Sequence, residues 1–308
     1  MMTVRFQGLA PLAIELSPFR AFTHSFLSPS KSVKTIQVEI LMSKTSITNS
    51  PKTSWFLCYR HLPNAKLRLF CFPYAGGSAL IYRPWVDNLP TTVEAHLVQP
   101  PGRGSRLREP PFTSIEPMVE SIASAIAPYL DRPFAFFGHS MGAVLSFELA
   151  RLLKKRFDKE PACLFLSARR APQLPDGDLI TYNLPEPEFI DELRRLNGTP
   201  KEVFESPELL QLMLPVLRAD FEVCQTYSFA GAPPLDCPIS VYGGLQDEEV
   251  LEEHLDAWRE QTTSSFTSRM FPGDHFFLHS CQSMLLRTLS LHLHDLIRKN
   301  GAPSGHTF

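Results

Sequence analysis

The stretch Phe134-Ala-Phe-Phe-Gly-His-Ser-Met-Gly142 constrains this chain more than any other. Its apolar start has no polar alternation, the habit of a strand buried on both faces of a parallel sheet. Helix-like spacing of apolar residues follows at once, from Ala143 to about Lys155. A strand, a sharp turn and a helix are therefore predicted, with Ser140 at the apex and a glycine two residues to either side. A chain of this length shows G-x-S-x-G by chance roughly one time in ten. The flanking strand and helix patterns are what make the motif a candidate nucleophile turn.

The rest of the chain repeats the alternation. Residues 67–72, 95–99, 162–167, 239–242 and 266–271 read as strands, with residues 82–89 helical between the first two. Thr113-Ser-Ile-Glu116 reads as a capping box opening a helix, and Ile115, Met118, Val119, Ile122, Ile126 and Tyr129 fall on one of its faces. A last helix is predicted over 282–298. This rhythm predicts an α/β fold, a mostly parallel sheet flanked by helices. It breaks over residues 174–232, where helical patterns (187–196, 207–214, 216–229) follow one another without a strand. An all-helical insertion inside such a sheet reads as a lid over a site. The folded domain is expected over residues 55–300.

Residues 1–54 differ in character, being rich in Ser and Thr and poor in acids. They are expected to form a disordered extension, or translated sequence upstream of a start at Met42, although the composition loosely suits a transit peptide. Residues 301–308 are expected to be a short tail. The net charge of −2 gives no support for nucleic acid or an acidic membrane as partner. No stretch approaches the roughly 18 apolar residues of a membrane span. The six cysteines are scattered without a C-x-x-C pair, which points to reduced thiols in a cytoplasmic protein. A monomer is expected.

A serine hydroxyl needs a base, and the base an acid to orient it. In α/β-hydrolases these follow the nucleophile in the order acid, then His, each at a strand end. His275 lies in the turn-rich FPGDHFF segment after the last strand. His279 reads as a helix-packing residue, and His139 adjoins Ser140 too closely to serve it. His275 and His279 have H-x-x-x-H spacing but lack the glutamate of a zinc-protease motif, so no metal is expected. Asp247, in VYGGLQD, lies just beyond a strand. Glu248 and Glu249 read as the polar start of the next helix, Asp274 is too near His275 in sequence, and Asp220 is expected to form salt links within the insertion. The turn Pro73-Tyr-Ala-Gly-Gly-Ser78 follows an early strand. Neither G-x-x-x-x-G-K-[ST] nor G-x-G-x-x-G is present, so a phosphate cradle is not supported. An oxyanion role is, with backbone N–H groups of Met141 and Ala75 as donors.

Taken in order, FCFPYAGGSALIYRPW, PPGRGSRLREPP, FGHSMGAVLSFELARLL, LFLSARRAP, LPVLRADFEVCQTY and FPGDHFFL resemble the type II thioesterases. These are stand-alone α/β-hydrolases that accompany polyketide and non-ribosomal peptide synthases. The resemblance covers residues 55–297. Departures are small: Q-P-P-G-R stands in place of Q-L-P-G-R, and Glu248 follows Asp247 where Pro is frequent. It implies hydrolysis of acyl thioesters on the phosphopantetheine arm of carrier proteins, clearing aberrant groups, with Ser140, Asp247 and His275 as catalytic residues and no cofactor of the enzyme's own. Two alternatives share the sequence features. One is a medium-chain fatty acyl thioesterase or general esterase, the other a catalytically silent hydrolase fold used for binding.

Overall fold

The computed structural model describes residues 54–175 and 180–301. The expected extension and tail lie almost wholly outside these residues. Among the described residues there are seven strands: β1 (Phe56–Leu57), β2 (Leu67–Phe72), β3 (Val93–Val98), β4 (Phe134–His139), β5 (Leu164–Ser167), β6 (Ile239–Gly244) and β7 (Phe266–Phe271). They form one sheet in the order β1-β3-β2-β4-β5-β6-β7. Only the β1–β3 pairing is antiparallel. The expected α/β architecture with a mostly parallel sheet is what the chain adopts.

Side chains of a strand alternate between faces, and two cores result. Phe70 and Phe72 of β2, Phe136 of β4, Leu166 of β5 and Val241 of β6 enter the core on one face. Leu69 and Cys71, Phe137, Phe165 and Tyr242 enter the other. Helices α1 (Ile115–Ile126) and α2 (Met141–Phe157) cover the first face with Ile115, Met118, Ile122, Phe147 and Leu153. The 3-10 helix Ala79–Trp85 and the later helices α7 (Phe277–Ser280) and α8 (Gln282–Gly301) cover the second.

The insertion between β5 and β6 contains α3 (Glu186–Leu196), α4 (Lys201–Glu205) and α5 (Pro207–Gln225). It has a small core of its own, Phe189, Leu193, Leu214 and Leu217. One further short helix, α6 (Glu252–Asp256), follows β6. No helix among the described residues is long and apolar enough to cross a membrane.

Several local expectations are corrected. Residues 82–89 do not form a helix of their own; the turns run over Ala79–Trp85 and are 3-10. Pro84 lies inside them and cannot donate the i→i−4 bond an α-helix needs. The capping box at Thr113 is absent: Ser114 is the residue before the helix and its side chain makes no capping bond. Pro215 does not split α5, which runs unbroken through it. One ladder bond is lost there, but Leu214, Val216, Leu217, Ala219 and Val223 are all buried and hold the helix in place.

Candidate active site

Ser140 stands where the backbone leaves β4 and enters α2, at φ +53° and ψ −113°. That is a strained combination for a residue with a side chain. Its N–H donates to the Ser167 carbonyl at 2.8 Å, tying the turn to β5. The flanking glycines have a steric cause. A Cβ on Gly138 would stand 2.1 Å from the Gly142 carbonyl oxygen, and one on Gly142 would stand 2.1 Å from the Phe72 carbonyl oxygen. Only hydrogens fit, and so the turn can close tightly enough to lift Ser140 above the sheet.

Asp247 and His275 come from the loops after β6 and β7, and they meet. His275 Nδ1 lies 2.8 Å from Asp247 Oδ2. The Asp247 side chain is fully buried, and its other oxygen accepts the N–H groups of Glu249 at 2.9 Å and Val250 at 3.0 Å. A buried carboxylate without such donors would be costly; here every lone-pair direction in use faces a hydrogen. Ser140, Asp247 and His275 line one cavity of about 610 Å³, with Tyr74 and Ala75 beside them and Leu193, Leu196, Leu217 and Phe221 of the insertion opposite. Ser140 makes no hydrogen bond to His275 in this structure. Such contacts are often long without substrate and tighten when it binds.

The competing residues are otherwise occupied. Asp274 accepts the Phe276 N–H at 2.9 Å and shapes its own turn. His279 Nε2 lies 2.9 Å from the Tyr74 hydroxyl, a packing role as expected, and burial lowers its proton affinity. Glu248 and Glu249 do not start a helix, which begins at Glu252. Instead Glu249 pairs with Arg195 of α3 at 2.8 Å. Asp220 does not link residues within the insertion either. Its carboxylate reaches out to Arg103 and to the Gly76 N–H.

That contact sorts the donors of the Pro73–Ser78 turn. Gly76 N–H is engaged by Asp220 Oδ2 at 2.7 Å, and Gly77 N–H by the Tyr74 carbonyl at 2.9 Å. The N–H groups of Tyr74 and Ala75, both beside the cavity, have no partner among the described residues, and neither does that of Met141 at the start of α2. The two donors expected from sequence are thus among the unengaged ones.

One contributor was not legible beforehand. His139 is fully buried, with Nε2 2.9 Å from the His275 carbonyl oxygen and Nδ1 2.9 Å from Ser167 Oγ. A carbonyl only accepts, so Nε2 carries the proton and Nδ1 accepts from the serine. Burial, reinforced by the neighbouring His275 and His279, holds this imidazole well below the usual histidine range. The residue before Ser140 therefore fixes the backbone of His275. Among the described residues, the one metal-like group is Cys58, Glu94 and His96. Glu94 is already engaged by Arg68, His61, His96 and the Leu62 N–H, and none of the three lines the cavity.

Comparison with known proteins agrees with this geometry. The thioesterase domain family matches residues 67–293. LgrE of Brevibacillus parabrevis, named a linear gramicidin dehydrogenase, is 47% identical over 80% of this chain and 93% of its own. The gramicidin S biosynthesis protein GrsT of Aneurinibacillus migulanus is 46% identical over 75% of this chain and 90% of its own. The type II thioesterase BorB of the borrelidin biosynthetic cluster superposes with a TM-score of 0.73 at 35% identity. That match covers 80% of this chain and all of BorB. On its sequence, its sheet and these matches together, this chain belongs to the thioesterase family, with the α/β-hydrolase fold.

Proposed function

We propose that this protein hydrolyses acyl thioesters on the phosphopantetheine arm of carrier proteins, removing aberrant acyl groups from a polyketide or non-ribosomal peptide synthase. The observation that carries the reading is the buried Asp247 bonded to His275 at 2.8 Å beside the cavity that Ser140 lines. The similarity to GrsT and to BorB supports the substrate class. Ser140 Oγ attacks the thioester carbonyl while His275 Nε2 takes its proton, and Asp247 holds the resulting imidazolium. The oxyanion forms against the N–H groups of Met141 and Ala75. His275 then protonates the departing thiol, and water activated by the same imidazole releases the acid from the acyl-enzyme. The pantetheine arm arrives with the carrier, and the enzyme contributes no cofactor.

The insertion over residues 174–232 acts in this reading as a lid, its Leu193, Leu196, Leu217 and Phe221 offering the acyl chain an apolar wall. The test is hydrolysis of a panel of acyl-loaded carrier proteins, acyl-CoA thioesters and p-nitrophenyl esters. Carrier-bound thioesters should be preferred, and Ser140→Ala should abolish turnover. A Ser140→Ala protein hydrolysing carrier substrates at the wild-type rate would sink the proposal. A preference for free medium-chain acyl thioesters or oxygen esters would move the function to fatty-acid release or general esterase activity.

A further inference from the structure

The turn that bears the second oxyanion donor is not held by the sheet alone. Three side chains from two successive turns of α5 close on it and on the neighbouring Gly102. A Cβ on Gly76, which lies at φ +76°, would be 2.5 Å from Leu217 Cδ2, and one on Gly102 would be 3.0 Å from Val216 Cγ2. One turn further along the same helix face, Asp220 Oδ2 accepts the Gly76 N–H at 2.7 Å. Both Asp220 oxygens also receive Arg103, Oδ1 from Nη2 at 2.7 Å and Oδ2 from Nη1. Arg103 in turn donates from Nη1 to the Gly77 carbonyl at 3.2 Å and from Nε to the Pro101 carbonyl at 3.1 Å. Asp220 and Arg103 are buried, at 2% and 7% exposure. The pair thus grips the peptide groups on either side of the Gly76–Gly77 bond, one residue past Ala75.

We infer that Asp220, clamped by Arg103, is a positioning residue for the oxyanion turn, so that the hole is complete only while α5 is seated on the body of the enzyme. The inference rests on the hydrolase reading above. A buried ion pair contributes little net stability against an apolar replacement, whereas stripping one partner leaves an uncompensated charge. What this pair does supply is a fixed direction for two peptide planes, and an oxyanion donor is useful only if it is aimed before charge develops. The lid is thereby more than a wall: the helix that covers the acyl chain also holds part of the catalytic electrostatics in place. A substrate that lifts α5 loses transition-state stabilisation along with its cover.

The test compares wild-type protein, Asp220→Asn and the double variant Arg103→Met with Asp220→Leu, each first checked for a cooperative thermal transition. Asparagine is nearly isosteric; its oxygen stays with the Gly76 N–H and Arg103 Nη1, but its NH2 group is set against the Arg103 Nη2 donor and breaks that side of the clamp. The double variant removes both buried charges, and so it keeps the question answerable should Asp220→Asn fail to fold. Both folded variants are expected to lose about 10- to 100-fold in kcat on an acyl-carrier substrate, a partial version of losing a donor outright, with KM within threefold of wild type. Affinity for a trifluoromethyl ketone analogue, which forms the oxyanion adduct, should fall in parallel with kcat. Affinity for a non-hydrolysable acyl-amide carrier should not. A folded double variant with wild-type kcat overturns the inference. So does a loss that leaves the ratio of the two analogue affinities unchanged. Ser140→Ala in the same assay separates the levels: if it is inactive while the Asp220 variants are fully active, the hydrolase reading stands and only the positioning role falls.

Discussion

Replacing Asp247 with asparagine should be far more damaging than the loss of one hydrogen bond implies. The two oxygens of Asp247 have different duties: one accepts the Glu249 and Val250 N–H groups, the other faces His275 Nδ1. In Asp247→Asn the amide oxygen stays with the two N–H donors, since an NH2 group there would meet two hydrogens. The NH2 group is then turned toward His275 Nδ1, which becomes an acceptor. The imidazole proton moves to Nε2, and the nitrogen that should take the Ser140 proton is already protonated. Loss of the negative charge adds to this, because the imidazolium formed in the transition state is no longer stabilised. Comparable wrong-tautomer substitutions in serine hydrolases lower kcat about ten-thousand-fold, or about 5 kcal/mol of transition-state free energy at about 1.4 kcal/mol per factor of ten. Single-turnover hydrolysis of an acyl-carrier substrate measures the chemical step directly, and a pre-steady-state burst with substrate in excess reports acylation. Circular dichroism should show a wild-type fold, since no volume changes. A folded Asp247→Asn enzyme within tenfold of the wild-type rate would refute the assignment of Asp247 and return the acid to another carboxylate.

Gly142→Ala should be destabilised by about 3 kcal/mol or more in urea unfolding, because the new Cβ meets a backbone carbonyl that cannot rotate away, at 2.1 Å; a wild-type midpoint would mean that the turn is looser than its geometry. The buried His139 makes stability depend on pH. Its folded proton affinity is depressed, so below the ordinary histidine value near 6.5 the unfolded chain binds a proton that the fold does not. Stability is therefore full above that value and falls as pH drops below it. Urea midpoints across that range should fall less steeply for His139→Gln than for wild type, and equal slopes would exclude the strut as the cause.

The parts of this molecule legible in its sequence are those set by local periodicity and by steric demand. The apolar run of β2 is found at its observed limits because a strand buried among neighbours has no reason to alternate. Ser140 is visible because its turn tolerates only glycine beside it, and His275 because a strand-end loop rich in turn residues is where a base can reach it. What escapes is contact across long separations. Asp220 and Arg103 stand 117 residues apart, and nothing in either neighbourhood says that one helix will lie over the other loop. His139 could have been suspected, since an imidazole at the end of a fully buried strand must find partners, but which partners depends on the β7 loop folding back. Pro215 was misread for a similar reason, because tertiary packing outweighs one missing ladder bond.

The order of the sheet carries a consequence for synthesis. From the nucleophile strand onward, β4, β5, β6 and β7 are laid side by side in the sequence in which a ribosome makes them. Each new strand joins the edge left by the last. Ser140 follows the first of the four, Asp247 the third, and His275 the fourth, at the outer edge. A nascent or truncated chain can therefore fold its serine turn long before it owns a proton acceptor. In the proposed mechanism, hydrolysis of loaded carriers therefore starts only once the loop beyond β7, with His275, has emerged.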